Sequence, residues 1–417
     1  MSIIEKINDV AMWKQFLEHK QSNNNMSVSE EKKIIEFIEA EKYTYYYEQL
    51  KSGDFPKSFP HKLVVNKEDS KKKRIVYSYK EDENIVLKFI AYNLYEFDDV
   101  FSHSTYAFRR GYGVKDAIWR LKGNVKFEEY YCYKADISNY FNSIDVDMLL
   151  DKLEFIKDRD EELYKLFEKI LKEERVYSDG KLINDNHGAM AGMPCSPFFA
   201  NVYLMELDKY FEEIGVEYFR YSDDILIFAE NEKKLEEYIS IFKENIKNSK
   251  LKLNEDKIQI SKPYEPFAFL GFSYDKGVID LSNNTKRKIK AKIKRKADAL
   301  RRWQRSKSLS EDKAAIGFIK AMNKKFYGGY RKEAGDDELT WSRWFFPNIT
   351  TDKTLKEIDE YMQQYIRYTV TGRHYKGNYK ITYEKMKEWG YMSLVHEYYK
   401  TKKRGEKNGK SYCYVEI

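Results

Sequence analysis

One run constrains this chain more than any other. Tyr218 to Ala229, YFRYSDDILIFA, is built almost entirely of strand formers, yet Asp223 and Asp224 sit side by side in its middle. Aspartate is depleted in strands, and two adjacent carboxylates place like charges against apolar surface. Either the pair belongs to the turn of a hairpin, where Ser and Asp are ordinary residues, or it marks a functional site. A second anomaly stands 87 residues upstream. In YYCYKADISNYFNSID an apolar strand ends on Asp136, and Phe141 follows five residues later. If the Asp136 strand lies parallel beside the hairpin, three carboxylates gather at one sheet edge. Their repulsion calls for divalent cations, and hard oxygen ligands suit Mg²⁺ or Mn²⁺. Two such ions about 4 Å apart clamp the attacking and leaving oxygens of a phosphoryl transfer.

Charge points to a polyanion. The 417 residues carry a net +7, but Lys286 to Lys307 alone holds twelve basic side chains and one acid, Asp298, a local +11 that leaves −4 for the rest. A basic arm on an acidic body binds a polyanion or is simply a solvated helix face. No run of about 18 apolar residues occurs, so no membrane partner is expected. The first twenty residues lack the apolar core of a signal peptide. Cys132, Cys195 and Cys413 are scattered without metal-ligand spacing. A reduced cytoplasmic protein is the natural expectation.

The patterning predicts an α+β chain. Residues 1–60 read as helices, with EEKKIIEFIEAEKYTYYYEQLK as one of them. Residues 61–125 open with two β-type runs, HKLVVN and KRIVYSY, around the basic cluster Lys71 to Arg74, before an apolar-periodic helix. Residues 126–275 alternate strands and helices. Within them PFFANVYLMELDKYFEEIG reads as one helix, and NEKKLEEYISIFKENIKNSK carries Leu235, Tyr238, Ile239, Phe242 and Ile246 at helical spacing, enough to cover one sheet face. Residues 276–417 open on the basic helix and stay largely helical.

In order along the chain, STYAFRRGYGVKDAI, KADISNYF, GAMAGMPCSPFFANVYL, YSDD, LKLNEDKIQI and FLGF resemble the motifs of reverse transcriptases. The resemblance runs from about Arg74 to Phe272. It implies a right-hand polymerase with an antiparallel palm sheet: fingers at 61–125, palm at 126–275 with finger elements inserted, and a helical, basic thumb and RNA-binding lobe at 276–417. It also implies RNA-directed DNA synthesis with two Mg²⁺ ions, Mn²⁺ being an alternative. Asp136, Asp223 and Asp224 would be the catalytic metal ligands, joined by the Ile137 carbonyl. Phe141 falls at the sugar gate, where a bulky ring clashes with a ribose 2′-hydroxyl.

The same resemblance assigns dNTP contacts to Lys73, Arg74 and Arg109 in the fingers, to Gly192 and Ser196 in the loop before the palm helix, and to Lys257. Met190 and Ala191 replace the usual Pro and Gln of that loop, which leaves one nucleotide contact unassigned. Asn201 faces the same pocket or packs against the sheet. Leu270 and Gly271 match a primer-grip turn. Lys286, Arg287, Lys290, Lys294, Arg301, Arg302, Arg373 and Lys376 would track the backbone of an RNA–DNA duplex.

Among reverse transcriptases the compact chain, with no recognisable RNase H, nuclease or integrase segment, looks most like the bacterial defence-associated, abortive-infection and unknown-group lineages, related to group II intron and retron enzymes. A type 2 defence enzyme would copy a companion non-coding RNA. Two other readings stay open: a template-independent or protein-primed DNA polymerase, and a non-catalytic nucleic-acid-binding scaffold. The oligomeric state is not legible.

Overall fold

A computed structural model describes residues 1–22, 26–66, 73–328 and 340–407. It divides into two compact units, Met1–Pro263 and Tyr264–Ile417. The chain is α+β with mainly antiparallel sheets, as the patterning predicts. Lys71, Lys72 and Cys413 lie outside the described residues; Cys132 and Cys195 are buried and unbridged. No described helix is long and apolar enough to cross a membrane.

The first unit holds two four-stranded sheets. One is built from β1 (His61–Asn66), β2 (Lys73–Ser78), and the hairpin of β4 (Arg175–Ser178) and β5 (Lys181–Asn184), in the order β2-β1-β4-β5. The β4–β5 hairpin is a finding the patterning did not anticipate. Its signal was the Asp179–Gly180 dipeptide, and both residues adopt positive φ (50° and 79°), the geometry that matches a two-residue turn to strand twist. The other sheet joins β3 (Tyr131–Asp136), β6 (Tyr218–Tyr221), β7 (Asp224–Ala229) and β8 (Gln259–Ser261) in the order β6-β7-β3-β8, all pairs antiparallel.

The helix Glu232–Asn248 covers one face of this second sheet. Leu235, Phe242 and Ile246 are fully buried, and the Phe242 ring meets Tyr133 of β3 at 5.9 Å. Burying three such side chains contributes about 5–9 kcal/mol. Two predicted helices are each split. EEKKII…EQLK breaks into Val28–Glu39 and Lys42–Lys51, because Glu41 turns left-handed (φ 48°). PFFANV…EEIG breaks at Leu204 into Ser196–Tyr203 and Met205–Glu213. An aromatic cluster ties the N-terminal helices to the helix Glu81–Asn93, with Trp13 stacked on Phe89 at 4.0 Å.

The second unit opens with an antiparallel meander, β9 (Phe267–Phe269), β10 (Phe272–Asp275) and β11 (Val278–Leu281). The basic helix Asn283–Ser306 follows, capped by the Ser282 hydroxyl and burying Ile289, Ile293 and Ala297 along one stripe. It packs in its unit with Glu311–Tyr327 and Lys353–Thr371. Buried Asp359 holds the start of the final helix, accepting from the Leu394 and Val395 amides at 2.9 and 3.0 Å.

Candidate active site

The three aspartates converge because of strand register. Tyr221 pairs with Asp224 across the β6–β7 hairpin, which leaves Ser222 and Asp223 as its two-residue turn. Ser222 takes φ 62° without being glycine, local strain of a kind that persists where surrounding structure enforces it. On the other side of β7, Asp224 faces Asp136 of β3, and the Ile137 amide donates to the Asp223 carbonyl at 3.1 Å. The strands run antiparallel, not parallel, and β3 and β7 are the interior strands of the sheet. The reason is chain direction: β7 returns from a tight hairpin and meets β3 end to start.

Burial makes this cluster electrostatically expensive. It raises the Asp224 carboxyl to about 6, with Lys134 opposing and the charges of Asp223 and Asp136 adding. Asp223 is also raised, first by burial and then by Asp136. Two lysines answer part of the charge. Lys257 Nζ donates to Asp136 Oδ1 at 2.6 Å, and Lys134 Nζ stands 3.5 Å from Asp224 Oδ1. Asn254 Nδ2 reaches Asp136 Oδ2 at 3.3 Å. Asp224 Oδ1 is nevertheless buried without a hydrogen-bond partner. Among the described residues no three His, Cys, Asp or Glu side chains form a ready metal cage. That buried carboxylate oxygen, faced only by the Lys134 ammonium at 3.5 Å, and the all-oxygen donor set fit a hard divalent cation.

A second layer holds the hairpin, and sequence reasoning passed over it. Arg220 and Asp208 are fully buried and ion-paired. Asp208 also accepts from Tyr218 Oη (2.9 Å) and Thr105 Oγ1 (2.8 Å), while Arg220 Nη1 reaches the Asn201 side chain at 3.3 Å and the Ser222 carbonyl at 3.4 Å. Burial opposes the Arg220 charge, and Asp208 more than restores it. A signal existed: Asp208 lies on the apolar helix face with Leu204, Leu207 and Phe211. Asn201 is thereby a packing residue, its Nδ2 donating to the Ala107 carbonyl at 2.8 Å.

Around the aspartates, the loop 187–195 is locked to both β2 and the Phe141 turn. Tyr77 N donates to the Ala191 carbonyl (2.7 Å), and Ala191 N to Asn142 Oδ1 (2.8 Å). Gly188 (φ 53°) has no room for a side chain: a Cβ would stand 2.7 Å from the Phe141 carbonyl. A Cβ on Gly192 would press on Tyr77 and Val76 at 3.0–3.1 Å. Phe141 is half-buried, its ring 6.1 Å from that of Phe108. Lys73 and Arg74 are exposed on β2, and the Arg74 charge is felt by Asp223.

Several expected contacts are committed elsewhere. Arg109 is not a free phosphate ligand: it is buried, paired with Asp98 at 2.9 Å, bonded to the Ser102 and Thr105 carbonyls, and stacked over Tyr112. Buried Ser196 spends its hydroxyl on the Met190 carbonyl at 2.6 Å and so closes the loop. In the second unit, Arg301 clasps the Thr369 and Val370 carbonyls (3.2 and 2.7 Å), satisfying the end of the helix Lys353–Thr371. Lys286 and Lys290 share Glu357 at 3.0 and 3.6 Å. Arg287, Lys294, Arg302, Arg373 and Lys376 are exposed. Leu270 (φ 50°) and Gly271 (φ 91°) form the β9–β10 turn, with the Gly271 carbonyl accepting from Thr285 Oγ1 at 2.8 Å.

No curated protein matches the chain. Two solved structures are similar at low identity. Apo telomerase from Candida tropicalis, truncated from its C-terminal domain, is 12% identical with a TM-score of 0.40, over 54% of this chain and 55% of that one. Telomerase from Candida albicans, in complex with a TWJ fragment of telomeric RNA, is 11% identical with a TM-score of 0.38, over 82% of this chain and 66% of that one. The chain thus spans between about half and two thirds of those structures. The family profile described as reverse transcriptase (RNA-dependent DNA polymerase) matches residues 65–274, half of the chain and the whole of the aspartate cluster. The chain belongs to the reverse transcriptase family.

Proposed function

We propose that the protein is an RNA-directed DNA polymerase whose reaction centre is the Asp136–Asp223–Asp224 cluster. The observation that carries this reading is the Asp136–Asp224 pairing across the interior strands, with Asp223 in the adjoining turn and a buried carboxylate oxygen left without a hydrogen-bond partner. Reverse transcriptase domains generally use divalent metal ions. Here Asp136, Asp223, Asp224 and the Ile137 carbonyl would hold two Mg²⁺ or Mn²⁺ ions, which when bound acidify a primer 3′-hydroxyl and stabilise the pyrophosphate leaving group. Lys257, half-exposed and already on Asp136, is free to swing its ammonium toward departing phosphate once a cation takes that carboxylate. Arg74 and Lys73 offer exposed charge for the incoming triphosphate, and Phe141 closes the sugar side against a 2′-hydroxyl.

The finer reading is synthesis of cDNA on a companion non-coding RNA in bacterial phage defence. It is supported by the motif resemblance and by a helical second unit with exposed Arg287, Lys294, Arg302, Arg373 and Lys376, suited to phosphate backbones. The test is to copurify the protein with its nucleic acid, add Mg²⁺ and labelled dNTPs, and sequence both template and product. One discrete RNA with complementary DNA is expected, absent in Asp223→Ala. Random or protein-linked DNA would instead establish an untemplated or protein-primed polymerase, and activity undiminished in Asp223→Ala would remove the aspartates from the reaction.

A further inference from the structure

His187 opens the loop 187–195 and is buried, 2% exposed. Its Nε2 stands 2.6 Å from the Glu173 carbonyl, at the end of the helix Glu161–Lys172. Its Nδ1 stands 3.1 Å from the Gly188 carbonyl. A carbonyl only accepts, and a neutral imidazole carries one N–H. Both contacts are therefore hydrogen bonds only when the ring is an imidazolium. In the neutral ring one nitrogen turns a lone pair toward a carbonyl oxygen.

The surroundings suit a cation. A buried charge needs counter-charge, and two carboxylates feel this ring, Asp185 and Glu173. Asp185 accepts from Tyr77 Oη at 2.7 Å and Lys62 Nζ at 2.9 Å, and Glu173 pairs with Arg175 at 2.6 Å. Burial pushes the Asp185 carboxyl up, but Tyr77, Lys62 and the His187 charge together hold it below its ordinary value. Arg175 does most to lower the Glu173 carboxyl, and His187 adds to it. The Tyr77 ring meets the imidazole edge to face at 5.6 Å.

The residues that follow carry this anchorage toward the site. Gly188 lies against the Phe141 carbonyl with no space for a Cβ, and Ala189 N donates to that same carbonyl at 2.8 Å. The His187 carbonyl accepts from Met190 N at 2.9 Å. A shift of His187 thus moves the backbone on which the Phe141 turn rests.

We propose that His187 is a positioning residue for nucleotide selection: as an imidazolium it clamps the loop between Glu173 and Gly188 and so fixes Phe141 against the incoming sugar. This rests on the polymerase reading above. Loss of the ring proton as pH rises releases one bond and loosens the gate.

The experiment takes two readouts on the full chain, with His187→Leu, His187→Gln and Asp223→Ala beside wild type. The first is nitrogen NMR of protein labelled in its histidine rings, where the His187 signals are those lost in His187→Gln. Across about pH 5.5–8, both ring nitrogens of folded wild type should be protonated at the acid end. A single protonated nitrogen there overturns the clamp. The second is the ratio of kcat/KM for a dNTP to that for the matching rNTP in primer extension with Mg²⁺, which cancels the pH dependence of the shared chemical step. In wild type the ratio should follow the doubly protonated fraction, and a ratio that does not follow it overturns the positioning role. His187→Leu makes neither bond and should lower the ratio about tenfold, the size of one charge-assisted hydrogen bond, with no dependence on pH. His187→Gln keeps a donor toward Glu173 and should fall in between; it carries the comparison if His187→Leu fails to fold. Unchanged ratios in the variants, with synthesis that Asp223→Ala abolishes, overturn the inference and leave the polymerase reading standing. Wild type without Asp223-dependent synthesis removes that reading and the role in selection with it, while the NMR still decides the clamp.

Discussion

The buried pair beneath the Ser222–Asp223 turn gives a quantitative test. Asp208→Leu strands the Arg220 guanidinium in a dry interior, with only the Asn201 side chain and two carbonyls near it, and removes the acceptor of the Tyr218 and Thr105 hydroxyls. Breaking a buried pair from one side costs about 3–5 kcal/mol, and this loss belongs at the upper end. Arg220→Met leaves Asp208 its two hydroxyl donors, so about 3 kcal/mol is expected. The double variant carries no stranded charge. Its residual cost is the two unsatisfied hydroxyls, about 3–4 kcal/mol, against about 8 kcal/mol if the single effects added. Urea unfolding of the four proteins reads this coupling directly. Additivity within about 0.5 kcal/mol would refute the pairing argument. Primer extension supplies the second reading. The double variant regains stability but stays impaired, because nothing then reaches the Ser222 carbonyl that shapes the aspartate turn. A double variant as active as wild type would refute the positioning role.

Asp224→Asn should abolish synthesis yet stabilise the metal-free protein at pH 7 by about 1–3 kcal/mol. The folded value near 6 lies above the ordinary 3.8, so this carboxyl's destabilisation is full above pH 6 and vanishes as pH falls toward 4. Melting curves across that window, with the variant's advantage shrinking in acid, check the sign; an advantage that grows in acid refutes it. Phe141→Ala should raise ribonucleotide incorporation relative to deoxynucleotide, measured as a ratio of kcat/KM values, while an unchanged ratio removes the ring from sugar selection. Gly188→Ala forces a Cβ to 2.7 Å from the Phe141 carbonyl at φ 53°. It should cost at least about 1–2 kcal/mol in thermal stability and lower activity together with it.

Much of the site was legible because its chemistry breaks local rules. Aspartates amid strand formers announce themselves, and their spacing from Asp136 with the ordered motifs was enough to reach the family. The committed side chains were not legible. Arg109 and Arg110 are adjacent and identical in type, yet one is buried on Asp98 and the other lies over Tyr92 and Tyr95. Nothing in the string YAFRRGYG separates them, since the acceptors come from other segments. Arg301 looks like its basic neighbours until the end of a helix some seventy residues on presents carbonyls to it.

The α+β class, the end of the strand that carries Asp136 and the stripe that covers the sheet could be read from the amino-acid string alone, because periodicity and the cost of charge in a strand are local properties. The antiparallel run of β3 and β7 as interior strands, and the mutual neutralisation of Asp208 and Arg220 under the turn, could be seen only in the folded chain. Those outcomes depend on which distant segments meet, and a buried charge has no defined cost until its partner is in place.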